Sequence, residues 1–483
     1  MQRKSRPFIF IFCCLWAGHS MGQGGGRRSK DAWDLPKPGL VRLIDANLRQ
    51  ACNQYKILMS RVPPDRLPKT WYANGDRSET SDAGWWTSGF FPGTLLYLYE
   101  YSHDTSLSNE ALRRLSLLEK EQYNKGTHDL GFMMYCSFGN ALRLSREGLL
   151  PSRGADRLFD SILLNSARSL STRFNPRVGC IKSWDGGKWN YPVIIDNMMN
   201  LELLFWATHA SGDSSFYRIA VSHANTTLRN HFRPDHSSFH VVDYDSSTGA
   251  VIAKRTAQGY ADSSAWARGQ SWGLYGYTMM YRSTHDPVYL EQAERIAAFL
   301  LPHPRLPMDR IPYWDYDAPG IPRGNAPVPW INRDASAAAI MASALIELSR
   351  YEGREKGRAY LDRAEEILIS LSDIGYKAVV GSNGGFLLKH SVGNMPGHTE
   401  IDVPLTYADY YFVEAMLRYK QLTTPAPSVP ARTVHAAILR PTPWMHGSLA
   451  TVRSCGRAAG NWTSLWKNWN RVMARSPHRS GLK

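Results

Sequence analysis

The chain has 483 residues, 43% of them hydrophobic and 12% aromatic, which is ample for one large core or for two or three smaller ones. Its net charge of +15 would suit a nucleic-acid partner, but six Lys/Arg fall in residues 1–30 and nine in residues 421–483, with no acid in either stretch. Residues 31–420 are therefore neutral, and the distribution argues against nucleic acid as a partner of the folded body.

In chain order, the first element is "MQRKSRPFIFIFCCLWAGHSMGQGGG", with a basic start, an apolar middle and a small-residue exit. It predicts a secretory signal over residues 1–24 and an exported, periplasmic or secreted protein. Lipidation of Cys13 or Cys14 is the alternative, although no small residue precedes either. No later apolar run is long and charge-free enough to predict a membrane span. Outside the signal stretch the cysteines are Cys52, Cys136, Cys180 and Cys455, without CxxC or metal-type spacing. One disulfide is compatible with that count, and a disulfide scaffold is not implied.

From about residue 35, apolar residues recur at helical spacing. "DSSFYRIAVSHA", "DPVYLEQAERIA" and "GRAYLDRAEEIL" each set an aromatic (Phe216, Tyr289, Tyr360) four residues before an alanine (Ala220, Ala293, Ala364), and Phe159 with Ala167 is a fainter copy. Six amphipathic helices are predicted near 40–60, 107–123, 157–173, 215–231, 287–301 and 357–372. Between them lie more apolar segments rich in aromatics, such as "GFMMYCSFGNALRLS", "DNMMNLELLFWATHAS" and "TYADYYFVEAMLRY". Helices apolar on most sides belong inside and amphipathic ones outside. The alternation predicts an all-α fold, a closed (α/α)6 barrel of six hairpins, over 31–420. After it, residues 421–483 form a basic tail containing Pro and Trp, predicted to be flexible.

Each inner segment opens on a residue able to cap it: Thr87, Asp129, Asp196, Ser264, Asp334 or Thr406. All inner helices then run the same way, and their first turns share one rim, where a ligand site is expected. The loops of that rim are dense in Trp, Tyr, His and Asp, a mixture suited to sugars: ring faces stack on aromatics and hydroxyls take directed hydrogen bonds. Asp129 and Asp196 open adjacent inner helices. Each alone reads as a helix cap; as a pair in an aromatic enclosure, one can be held protonated for acid–base work. Asp334 reads as a cap, and Asp243 with Asp245 as a turn.

The ordered motifs "WWTSGFFPG", "HDLGFMM", "IIDNMMNLELLFWA", "FHVVDYDSSTG", "QGYADSSAWARGQSWGLYGY" and "HTEIDVPLTYADYYFVEAM" resemble the unsaturated glucuronyl hydrolases of glycoside hydrolase family 88 along about 35–420. The resemblance implies an (α/α)6 glycosidase that acts on oligosaccharides left by polysaccharide lyases. It would hydrate the 4,5-double bond of the terminal unsaturated glucuronic acid, after which the ring opens and the next sugar leaves. Carried over motif by motif, Asp196 is the general acid/base and Asp129 its supporting carboxylate. Trp86 and Phe90 stack on the unsaturated ring; His128, His240, Gln258, Arg268, Trp272 and His390 bind substrate, with Arg268 on the carboxylate. For Arg268 the alternative is an ion pair with Asp262. A sister family acting on unsaturated galacturonyl-rhamnose, or another sugar-active enzyme on this barrel, is the competing reading. No cofactor and no metal are expected, the partner is the unsaturated oligosaccharide, and the oligomeric state is left open. The departures are the basic tail and "VGNMPGH" after His390, in a loop expected to face the leaving sugar.

Overall fold

The computed structural model describes residues 37–150, 154–321 and 331–422; the predicted signal stretch and nearly all of the tail lie outside them. Twelve α-helices alternate along the described chain. The outer ones are α1 (Pro38–Arg61), α3 (Thr105–Leu118), α5 (Ala155–Ser171), α7 (Ser214–Asn230), α9 (Pro287–Leu300) and α11 (Arg354–Ser372). The inner ones are α2 (Phe90–Ser102), α4 (Asn140–Arg146), α6 (Leu201–Ser211), α8 (Ala267–Thr284), α10 (Ala335–Leu348) and α12 (Thr406–Gln421). Two inner helices begin irregularly: a π-helix, Gly131–Gly139, leads into α4, and a 3-10 turn, Ile195–Asn200, leads into α6. Each inner helix packs on the next, and α12 returns to α2, which closes the toroid.

The difference between the two sets follows from burial. Every residue of α10 is buried, as is α8 from Ala267 to Met280, because an inner helix is covered by its outer partner on one side and by the barrel axis on the other. The outer helices bury one stripe. The aromatic–alanine pairs Phe216/Ala220, Tyr289/Ala293 and Tyr360/Ala364 all lie in it, since residues four apart share a helix face.

The capping expectation is corrected. Asp334 alone of the six caps its helix, accepting from the N–H groups of Ser336 and Ala337. The side-chain caps belong instead to outer helices, on Asp104, Asp213 and Asp286. Exposed helix starts need a local acceptor, whereas the inner helices begin in a crowded rim where their first turns meet other chain segments.

Four small antiparallel sheets decorate that rim: β1 (Leu67–Tyr72) with β2 (Arg77–Ser81), β3 (Phe174–Asn175) with β4 (Cys180–Ile181), β5 (Tyr191–Ile194) with β6 (Val241–Tyr244) and β7 (Val251–Arg255), and β8 (Ser391–Asn394) with β9 (Thr399–Val403). Beneath them an aromatic layer fills the axis. Phe90 lies 5.4 Å from Phe132, Phe132 lies 5.1 Å from Trp272, and Trp272 lies 5.3 Å from Tyr411, ring centre to ring centre. Cys52, Cys136 and Cys180 are free thiols, and among the described residues no helix is long and apolar enough to cross a membrane.

Candidate active site

The sheet β5–β6 builds the centre of the rim. Its register pairs Ile194 with Val241, and the Ile195 N–H donates to the His240 carbonyl at 3.1 Å. Asp196 and His240 thereby become neighbours across two strands, and His240 Nε2 stands 3.8 Å from Asp196 Oδ2. Both atoms are buried and neither has a hydrogen-bond partner. Asp196 caps nothing: the 3-10 turn that contains it starts after Ile194 and carries no side-chain cap. A carboxyl largely removed from water, with one oxygen unpaired, favours its protonated form. Burial pushes Asp196 up to about 7, Asp129 pushes the same way, and the Arg268 cation opposes them.

His240 is fixed in one tautomer. The backbone N–H groups of Ala257 and Gln258, just past β7, donate to its Nδ1 at 3.1 and 3.2 Å. The ring proton must then sit on Nε2, directed at Asp196. Burial lowers the imidazole to about 3, so His240 stays neutral. Its ring lies 4.4 Å from that of Trp266.

Asp129 stands just before the π-helix. Its Oδ2 accepts from the Thr127 hydroxyl at 3.0 Å, and its Oδ1 lies 3.4 Å from Nε2 of buried His128. Burial pulls His128 below its ordinary value, against the raising effect of Asp129.

Arg268, at the start of α8, is fully buried and sandwiched 4.5 Å from Trp266 and 5.3 Å from Tyr407. It donates to the carbonyls of Val392 and Gly393 in β8, the latter at 2.7 Å, and to Asp334 Oδ2 at 3.3 Å. The pair with Asp262 does not form; Asp262 accepts from Thr256 N instead. Gln258 also donates to the Gly393 carbonyl, at 2.9 Å. The β8–β9 hairpin is thus held by two of the polar side chains assigned to the substrate, Arg268 and Gln258.

Trp86 is half-buried, edged by Phe90 and Phe132 and 5.0 Å from Tyr407. Phe90 and Trp272 have no exposed surface and belong to the aromatic layer under the site, with the Trp272 indole N–H unpaired. Composition alone does not separate wall from plug in a closed ring. His390 lies apart from that layer. It is partly exposed, in left-handed backbone, with Nδ1 bonded to Asp402 at 2.7 Å and its ring against Tyr376, which is not the company of Asp196. Of the pair read as a turn, Asp245 does accept from Ser247 and Thr248 N–H groups, while Asp243 lies in β6 and binds the N–H of Tyr191.

The sequence reading passed over Tyr407 and Trp266. Tyr407 is buried with an unpartnered hydroxyl, and its signal was its place one residue past an inner-helix start. The hydroxyls of Thr87 and Thr406 and the Nδ2 of Asn200, all at inner-helix starts, also lack partners. Buried polar atoms rarely stay unpaired without a reason. Among the described residues, no group of three or more His, Cys, Asp or Glu is arranged to hold a metal ion.

No protein-family model matches the chain. An unsaturated glucuronyl hydrolase of Formosa agariphila is 47% identical over 339 residues, covering 70% of this chain and 80% of that protein. The chain belongs to the unsaturated glucuronyl hydrolases. It is accordingly a glycosidase with that family's toroid. A crystal structure of an unsaturated glucuronyl hydrolase specific for heparin superposes with a TM-score of 0.73 at 45% identity, over 79% of this chain and 98% of that one. A mutant of the Streptococcus agalactiae unsaturated glucuronyl hydrolase, complexed with dGlcA-GalNAc6S, superposes with a TM-score of 0.64 at 27% identity, over 78% and 91%.

Proposed function

We propose that Asp196 is the acid and base of a hydration reaction on the 4,5-unsaturated glucuronic acid that ends a lyase-generated oligosaccharide. The observation that carries this is a buried carboxyl, raised to about 7, facing a neutral imidazole N–H with neither atom paired. Protonating an enol-ether carbon needs an acid that still holds its proton near neutral pH. Once C4 takes that proton, the new carboxylate is the base for water adding at C5. The His240 N–H is directed at the same place, ready to hold the oxygen. The hemiketal then opens and releases the next sugar. Asp129 assists by charge, since an anion nearby favours the protonated form of Asp196. Trp86 offers the stacking face. Arg268, paired with Asp334 and the β8 carbonyls, supplies positive potential to the uronate and fixes the hairpin beside it.

Heparin and dGlcA-GalNAc6S are named for the relatives, and glycosaminoglycan disaccharides are the substrate class proposed here. The basic, apolar N-terminal stretch supports export. The neutral charge of residues 31–420 supports a catalytic unit of that extent, so a chain ended near residue 424 should stay soluble and active.

The test is a panel of lyase-generated disaccharides followed at the absorbance of the unsaturated uronate. Loss of absorbance in step with release of the saturated sugar supports hydration. Sugar release with the absorbance unchanged would mean ordinary glycoside hydrolysis, and the proposal would fall.

A further inference from the structure

Two turns carry the carboxylates, and one side chain joins them. Asn200 occupies the N-cap position of α6, where an asparagine ordinarily accepts from its own helix's free N–H groups. It makes no such bond. Its Oδ1 instead accepts, at 2.9 Å, from the N–H of Phe132, a first-turn donor of the π-helix that has no partner within its own helix. Asn200 is fully buried, so no solvent competes for that bond. The approach is close enough to require glycine: a Cβ on Gly131 would lie 2.5 Å from the Asn200 Cα and 2.7 Å from its Oδ1. Phe132 is three residues from Asp129, and Asn200 is four from Asp196.

We propose that Asn200 is a positioning residue whose cross-helix bond to Phe132, seated on Gly131, fixes the placement of Asp129 relative to Asp196. This rests on the reading of Asp196 as the acid and base. The charged and titratable groups facing Asp196 come from four directions: His240 across β5–β6, Arg268 from α8, Tyr407 from α12, and Asp129 with His128 beside it from the turn before the π-helix. Only the last pair is carried by the segment that Asn200 holds. Loosening the bond would move Asp129 and leave His240 and Arg268 where they are. It would therefore act on proton transfer more than on binding.

The experiment compares wild type, Asn200→Ala, Gly131→Ala and the double variant, each first checked for fold by circular dichroism. For Asn200→Ala, kcat should fall roughly 10- to 100-fold, the scale of a small misplacement, with KM changed less than about threefold. The high-pH limb of the kcat profile should move to lower pH, because a more distant Asp129 holds the Asp196 proton less firmly. Gly131→Ala should shift the limb the same way, and the double variant should be no worse than the poorer single, as expected for one shared contact. An Asn200→Ala enzyme with only a lower melting temperature and a wild-type limb would overturn the proposal. If that variant does not fold, an unshifted limb in Gly131→Ala overturns it alone. An Asp196→Asn control separates the two levels: an inactive control beside a wild-type limb in Asn200→Ala sinks this inference only, whereas an active control sinks the reading beneath it.

Discussion

The two ends of the barrel hold buried carboxylates in opposite conditions. At the rim, the Oδ2 of Asp196 has no partner, and burial pushes the carboxyl up to about 7. At the far end, the later turns of the inner helices line a cavity of about 360 Å³ with Glu100, Glu202, Glu414, Arg143 and Arg418 among others. There every charge is matched. Arg282 joins Glu202 at 2.6 Å and Glu347 at 2.9 Å, Arg418 reaches Glu347 at 2.8 Å, and Glu414 accepts from Tyr97 and Tyr275. None of the carboxylate or guanidinium atoms of this network appears among the buried polar atoms without partners. The aromatic layer of Phe90, Phe132, Trp272 and Tyr411 separates the two ends. A cavity and a set of ionisable groups therefore do not by themselves make a reactive site. What distinguishes the rim is a buried carboxyl with an oxygen, Asp196 Oδ2, left without a hydrogen-bond partner.

Substitutions at the two ends should act on different quantities. Asp196→Asn should reduce kcat by about 1,000-fold, the range of a lost general acid, while binding of an unsaturated disaccharide, measured by calorimetry, stays near wild type. Its counterpart below is Glu347→Gln, which leaves Arg282 and Arg418 less than fully paired. That should lower stability by roughly 3 kcal/mol, as for a broken buried ion pair, with kcat/KM within about twofold of wild type. Loss of activity in a folded Glu347→Gln protein would break the comparison.

Asp129→Asn removes the anion that supports the Asp196 proton. The high-pH limb of kcat should move to lower pH, with a rate loss of about 10-fold near neutrality; an unmoved limb would detach Asp129 from the chemistry. A further effect concerns stability. A carboxyl whose folded value lies above its unfolded one contributes stability fully at pH values below about 4, and that contribution is lost as pH rises through about 7. Asp196→Asn should therefore be more stable than wild type at about pH 8, by roughly 4 kcal/mol at most for a shift from 3.8 to about 7, whereas the advantage should vanish near pH 4. A lower melting temperature at both pH values would mean that the carboxylate stabilises the fold after all.

The architecture was legible because helical stacking writes itself into spacing. The Phe216–Ala220, Tyr289–Ala293 and Tyr360–Ala364 pairs mark outer helices, and near-continuous apolarity marks inner ones. The gathering of Asp129, Asp196, His128 and His240 was legible through ordered motifs. Three features were not. Phe90 and Trp272 have the composition of a sugar platform, and their full burial in the aromatic layer is set by the radius of the ring rather than by local pattern. Arg268 finds its acceptors more than a hundred residues along the chain, in β8, and no spacing rule reaches that far. The Asn200–Phe132 bond crosses two helices, and asparagine at a helix start reads by default as a cap for its own helix.

The central claim is that Asp196 carries a proton near neutral pH. Infrared difference spectra of wild type minus Asp196→Asn test it most directly, because the subtraction removes Asp409, another buried carboxyl raised to about 7. The account predicts a carboxylic-acid carbonyl band in the difference at about pH 6 that is replaced by carboxylate bands at about pH 8. A difference spectrum showing only carboxylate at pH 6 would contradict it.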